Sequence, residues 1–285
     1  MHIRYYLVGL LLGLVLTANA KTPPKQRQYQ TPNMAQFIAL EQGFTALLTD
    51  NDSQPLHHYY HSNEQREEQP FTRLVSKTTF GWGELWFNNK PGRLFVQVPH
   101  RYHDRLTYNI AKHWWHSGQV SWLMFNNVHR YAGQQADNNK QRPNSDWSTA
   151  QHSPLSAASR SFVKQRQDPL VIQLHGFAKN KRQTPVAQQA DVILSHGSNL
   201  PGAYLLHLNR IASCIKRQLP VRTAIYPQDL RELGGTTNQV GKQLRKAGLL
   251  QAFIHVELSA QLRQTLAEDQ QKSMILLNCI GGEQA

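Results

Sequence analysis

Three apolar runs in this chain end on histidine, and a fourth carries a carboxylate. Arg93-Leu-Phe-Val-Gln-Val98 leads into Pro99-His100, Leu170 to Leu174 leads into His175-Gly176, and Asp191 to Leu194 leads into Ser195-His196. Phe253-Ile-His-Val-Glu257-Leu sets an acid among apolar neighbours. Imidazoles and carboxylates hold divalent ions and move protons near neutral pH. The segment His100-Arg-Tyr-His103-Asp104 offers two or three metal-capable side chains within one turn of chain. Catalytic zinc takes three protein ligands and keeps a position open for water, whose pKa it lowers to about 7. A close pair from this segment plus His175 from a neighbouring strand end meets that requirement. Gly176 lets the backbone leave the strand tightly. A nearby carboxylate then takes the water's proton and returns it to the leaving amine. Glu257 suits that task, because apolar neighbours bury it and an idle buried carboxylate is costly. The alternative is a strand residue facing outward, with Ile254, Val256 and Leu258 toward the core and His255 and Glu257 opposite.

The elements around these residues alternate. Helical spacing covers Met34 to Leu48, and residues 50–70 read as loop with some helix. From residue 80 apolar strands (80–87, 93–98, 120–128, 170–174, 191–194, 221–226, 252–258) interleave with helices over 105–117, 153–166, 201–218, 239–247 and 260–277. Such alternation predicts an α/β fold, a mixed and mostly parallel sheet covered by helices on both faces. Ligands in such sheets bind beyond the carboxyl ends of strands, where the three histidines stand.

The order His100…Asp104, strand-end His175, then Glu257 resembles the zinc carboxypeptidase superfamily. Its site combines a His-x-x-Glu pair, a later strand-end histidine and a glutamate in a strand near the C-terminus. The patches VPHRYHDRLT, VIQLHGFA and AFIHVELS, spread over residues 80–265, are most similar to bacterial members of the poly-γ-glutamate hydrolase and N-formylglutamate amidohydrolase type. The resemblance implies a carboxypeptidase-like fold, zinc as cofactor and hydrolysis of an amide bond, with His100, Asp104 and His175 as ligands and Glu257 as catalytic base. The spacing departs from the family's, since two intervening residues lead to His103 and the acid comes one later. His103 is therefore the substitute ligand, or a substrate contact.

Four further residues are candidates for substrate binding. Arg160 can clamp a carboxylate bidentately, His152 lies near it in sequence, His196 ends its own strand, and Asn238 opens a helix in GGTTNQ, where it can equally be an N-cap. Two rival functions fit parts of the pattern. VIQLHGF also suits a serine α/β-hydrolase, but no G-x-S-x-G elbow is present, and Ser195-His-Gly-Ser198 does not supply one. A non-catalytic module binding an envelope polymer on a decayed hydrolase scaffold is the other.

Residues 1–20 have the pattern of a cleaved signal peptide: basic His2 and Arg4, an apolar run from Tyr5 to Thr17, then Ala18-Asn19-Ala20. This predicts export to the periplasm or medium, a polar tether over 21–33 and one metallohydrolase-like domain over 34–285. No stable membrane insertion is expected, since no other run is long and apolar enough. The net charge of +13 favours peptide or acidic polymer substrates. Its cations are scattered without an interleaved aromatic stripe, which argues against nucleic acid. Cys214 and Cys279 are either bridged, as export permits, or two buried thiols.

Overall fold

The computed structural model describes residues 29–65, 70–88, 90, 92–132 and 144–282. The signal-peptide segment 1–20 and most of the tether lie outside the described residues. At Tyr29 and Gln30 the chain already touches the body: Tyr29 packs on one apolar core, and Gln30 O accepts from Trp82 Nε1 at 2.5 Å.

Nine strands form one sheet: β1 (Tyr60–Gln65), β2 (Phe71–Ser76), β3 (Glu84–Phe87), β4 (Leu94–Val98), β5 (Val120–Phe125), β6 (Leu170–Phe177), β7 (Val192–Ser195), β8 (Thr223–Ile225) and β9 (Phe253–Ser259). Their order is β1-β2-β3-β5-β4-β6-β9-β7-β8. Pairs β4·β5, β4·β6, β6·β9 and β7·β8 are parallel, whereas β1·β2, β2·β3, β3·β5 and β7·β9 are antiparallel. The sheet is therefore evenly mixed, which corrects the expectation of a mostly parallel one. The antiparallel share comes from the β1–β2–β3 meander, in a stretch whose first part had read as loop and helix, and from β7 running against β9.

Helices α1 (Met34–Thr49), α3 (Pro154–Gln165) and α6 (Gln239–Lys246) cover one face; α2 (Thr107–His116), α5 (Leu206–Gln218), α7 (Ala260–Glu268) and α8 (Gln270–Gly281) cover the other, and a short α4 (Pro185–Gln189) precedes β7. The caps match the sequence: Asn33 forms a capping box, Ser153 precedes Pro154, and Asp269 accepts from Lys272 N, so the single helix expected over 260–277 is two. Cys214 on α5 and Cys279 on α8 are disulfide-bonded, with Cα atoms 5.5 Å apart, within the range a bridge needs. No helix among the described residues is long and apolar enough to cross a membrane.

Alternation along the central strands divides the sheet into two faces. Val96, Val98, Ile172, Leu174, Ile254, Val256 and Leu258 enter the core beneath α2, α5, α7 and α8. Phe95, Val171 and Phe253 enter the opposite core, beneath α1, α3 and α6. On that second face polarity changes along each strand: Phe95 is followed by Gln97, Val171 by Gln173 and His175, and Phe253 by His255 and Glu257. Register aligns Gln97 with Gln173, Gln173 with His255, and His175 with Glu257. A row of polar side chains thus crosses the carboxyl ends of three adjacent parallel strands.

Candidate active site

These strand ends open into a cavity of about 600 Å³ lined by His100, His103, Asp104, Arg130, His175, Asn238, His255, Glu257 and Arg263 among others. The turn after β4 supplies the first two ligand candidates. His100 O accepts from both His103 N and Asp104 N, at 2.9 and 2.8 Å, so four positions of chain close into one turn. Asp104 Oδ2 then lies 3.1 Å from His100 Nδ1 and 3.2 Å from His175 Nδ1. The His103 ring turns away, toward His129 and Tyr131, and is not in this trio.

Hydrogen-bond directions determine which nitrogens carry protons. Gly241 N donates to Asn238 Oδ1 at 3.2 Å, capping α6, which leaves the Asn238 amide NH₂ to donate to Gln173 Oε1. Gln173 Nε2 donates to Gln97 Oε1 (2.8 Å), Gln97 Nε2 to Ser159 Oγ (2.7 Å), and Ser159 Oγ to Leu155 O (2.6 Å). Gln173 Oε1 therefore only accepts. His175 Nε2, 2.7 Å away, carries the ring hydrogen, and Nδ1 is a lone pair. On the other imidazole, Nε2 faces Asp146 Oδ1 at 2.7 Å, and Arg130 bonds the second oxygen of that carboxylate. Asp146 stays ionised despite its burial, because His100 and Arg130 hold its pKa well down. His100 Nε2 thus donates, leaving Nδ1 toward Asp104.

Three acceptor atoms consequently converge: two imidazole Nδ1 lone pairs and one carboxylate oxygen, all within 4.8 Å of one another. Burial works against the Asp104 charge, and without a cation only a hydrogen on a facing Nδ1, that of His100 first, holds its pKa below the usual range. Arg130 Nη1 stands 3.4 Å from His100 Nδ1, but no cation lies between the three acceptors, and they repel. A divalent cation satisfies all of them, and each ring's remote N–H is already anchored on an acceptor, the arrangement that orients metal-binding imidazoles. The donor set fits zinc, which takes imidazole nitrogen and carboxylate oxygen alike. A proton on His100 is the cation-free substitute: burial opposes it, yet the bonds to Asp104 and Asp146 raise the His100 pKa. Burial and the neighbouring His100 keep His175 neutral, shifting its pKa down.

His175 also belongs to a second convergent trio, with His255 and Glu257. Burial raises the Glu257 pKa far above that of a free carboxyl, and the Asp104 charge adds to the shift. Burial also keeps His255 neutral. Glu257 Oε1 lies 3.9 Å from His255 Nε2, while Glu257 Oε2 and His255 Nδ1 have no hydrogen-bond partner among the described residues. Glu257 does point away from the Ile254–Val256–Leu258 side, but that direction leads into the cavity floor and not to bulk solvent.

The proposed substrate-binding residues separate. Asn238 lines the cavity and is also the α6 N-cap. Arg160 does not reach the cavity: it pairs with Glu41 at 3.1 Å beneath α1. His152 packs on Phe37 beside it. His196 turns beneath the sheet end, with Nδ1 donating to Phe253 O at 2.8 Å and burial pushing its pKa down to about 4. Arg160 and His152 were selected by residue type and proximity in sequence and His196 by its place at a strand end, and none of the three lines the cavity. Arg130, Asp146, Gln173, His255 and Arg263 escaped the sequence reading. Gln97, Gln173 and His255 had a visible signal, a polar residue at every second position of an apolar strand. Asp146 and Arg130, which flank a polar loop, had none.

A serine constellation is also present. Ser148 Oγ lies 3.2 Å from His100 Nε2, with Asp104 on the far nitrogen. The proton positions disqualify it: Asp146 Oδ1 takes the Nε2 hydrogen and also accepts from Ser148 Oγ at 2.6 Å, so His100 has no lone pair facing the hydroxyl. Ser198 Oγ is occupied as acceptor for Leu200 N.

No family model matches this chain, and no curated protein matches it. Among solved structures, a gene product of Agrobacterium tumefaciens is similar at 10% identity and a TM-score of 0.47, over 67% of this chain and 88% of that one. A metallo-carboxypeptidase from Burkholderia cenocepacia is similar at 11% identity and a TM-score of 0.41, over 90% of this chain and 70% of that one.

Proposed function

We propose that this chain is an exported zinc-dependent hydrolase that cleaves an amide bond of peptide or γ-glutamyl type. The observation that carries the reading is the convergence of His100 Nδ1, His175 Nδ1 and Asp104 Oδ2 as three acceptors with no hydrogen assigned between them. His100, Asp104 and His175 would hold the ion. When bound, zinc supplies Lewis acidity to a carbonyl and acidifies water. The rest of the chemistry falls to the protein. Glu257 Oε2, uncommitted and buried, takes a proton from water as the water oxygen bonds to the carbonyl carbon. The C–N bond then breaks, and Glu257 delivers that proton to the leaving nitrogen, giving an amine and a carboxylic acid, which loses its remaining proton to solvent. Arg130, whose Nη1 is 3.4 Å from His100 Nδ1, lines the same cavity and would stabilise negative charge developing beside the ligand trio. The Cys214–Cys279 disulfide supports an oxidising compartment.

Metal analysis of purified protein tests the reading. The expected result is about one zinc per chain in the wild type and loss of at least nine-tenths of it in His175→Ala. A wild type that takes up no divalent metal and still adsorbs to envelope polymer sinks the hydrolase and supports the binding-module alternative.

A further inference from the structure

The helices α1, α3 and α6 present an outer surface that is both apolar and basic. Between α3 and α6 runs a groove of about 380 Å³, with Val163, Leu244, Ala247 and Leu249 in its lining and Arg160, Lys164 and Lys246 beside them. None of these residues lines the cavity at the strand ends. A second groove follows α1, with Ile38 at one end and Asp50 at the other. Glu41 is the ridge between the two. It lines the α1 groove and pairs with Arg160 at 3.1 Å and with Lys164 at 2.7 Å, so both grooves belong to one continuous surface. Apolar side chains stand out at its margins: Met34 (55% exposed) and Ile38 (47%) on α1, and Leu249 (36%) just beyond α6. Cations lie between them. Glu41 is one carboxylate shared by two, and Lys242 and Lys246, both exposed on α6, have no carboxylate within 4.0 Å among the described residues. The chain also enters here. Tyr29 and Gln30 lead directly into α1, and positions 21–28 before them hold Lys21, Lys25 and Arg27 and no acid.

Exposed apolar groups with lysines between them suit the boundary of a bilayer. The apolar tips enter the edge of the acyl region, the lysine stems lie along it, and the ammonium groups reach the phosphates. Each cation near an anionic leaflet adds to the attraction. An acidic peptide would use the same cations but would leave Met34 and Ile38 in water. We propose that the α1–α3–α6 surface docks on an anionic phospholipid bilayer. The protein then rests on the membrane without spanning it, and the cavity, which shares no lining residue with either groove, stays accessible at the strand ends.

Co-sedimentation of the purified protein with phospholipid vesicles tests this, at about 0.15 M salt so that distant charges are screened. Vesicles of phosphatidylglycerol mixed into phosphatidylcholine should bind the wild type, and vesicles of phosphatidylcholine alone should bind it at least tenfold more weakly (about 1.4 kcal/mol). Lys164→Gln with Lys246→Gln should lower the partition coefficient by about fivefold per lysine, or about thirtyfold together. Ile38→Asn with Leu249→Asn should lower it by about tenfold. The control is Lys216→Gln with Arg217→Gln, on exposed positions of α5 across the sheet. It removes the same net charge and should change binding by less than about twofold, because those cations face away from the bilayer. Failure of the wild type to prefer the anionic vesicles overturns the proposal. So does an equal loss from the two charge pairs, which would mean a general attraction of a basic protein. A loss from the lysine pair without one from the apolar pair also overturns it, and assigns the surface to an acidic peptide instead. If Leu249→Asn destabilises the fold, Ile38→Asn alone decides the apolar contribution: several-fold weaker binding supports docking, and unchanged binding overturns it.

Discussion

Gln173→Leu tests the proton placement on which the metal site depends. The substitution removes the acceptor of His175 Nε2–H while keeping the approximate volume of the side chain. Three buried groups lose a partner: His175 Nε2, Asn238 Nδ2 and Gln97 Oε1. The first two residues line the cavity, where water can replace the lost bond. Gln97 is fully buried with no such access, so its orphaned oxygen dominates the stability cost, about 1–3 kcal/mol. The effect on metal binding is separate. An imidazole freed of its anchor can rotate or shift its hydrogen to Nδ1, and loss of such an outer partner costs about 10–100-fold in metal affinity, or about 1.4–2.7 kcal/mol. Zinc dissociation constants from competition with a chromophoric chelator, together with denaturant unfolding of the metal-free protein, read the two terms independently. A folded Gln173→Leu protein that binds zinc within twofold of wild type refutes the chain of reasoning from Gly241 N–H to the His175 lone pair.

Three further outcomes are expected. Glu257→Gln should lower turnover by about 10²–10⁴-fold with zinc content unchanged; loss of the metal in that variant would make Glu257 a ligand through its trio with His175 and His255. Ser148→Ala should keep bound zinc and most of the activity, and the wild type should resist fluorophosphonate labelling; a labelled Ser148 would reinstate a serine mechanism. Reducing Cys214–Cys279, or Cys279→Ser, removes a crosslink spanning 65 positions. Chain entropy values it at about 4 kcal/mol, hence a drop in Tm of roughly 8 °C by calorimetry, with zinc affinity unaltered because α5 and α8 pack on the far face of the sheet. A shift within experimental error would mean that the two helices hold together without the bridge.

The sequence made these parts of the molecule legible to different degrees, and for physical reasons. Strands 93–98, 170–174 and 252–258 were readable because burial on both faces leaves nearly continuous apolar runs. Tyr60–Gln65 was not, since an edge strand exposed along most of its length has no apolar period to detect. The expected final helix concealed a break because Asp269 sits in a run that stays amphipathic across it, and only its bond to Lys272 N shows it to be a cap. At the site, the His100–Asp104 spacing looked irregular against a two-residue interval, yet the turn at His100 O makes the fourth position the one that returns to the ring. Arg160 and His152 were chosen for their chemistry alone, and nothing in a linear pattern says which face of α3 a residue leaves from once α1 packs against it.

Gln97, Gln173, His175, His255 and Glu257 occupy one face of the three central strands, each below a tenth exposed, at positions where Leu or Val would pack without any desolvation cost. Gln97 and Gln173 are fully satisfied by a directed chain of bonds, so they return most of that cost. His255 Nδ1 and Glu257 Oε2 do not. Local conflict with the rules of core packing that is neither relieved by hydrogen bonds nor needed for the sheet marks a site kept for what it binds. The orphaned groups are one carboxyl and one imidazole, side by side on one strand at the floor of the cavity.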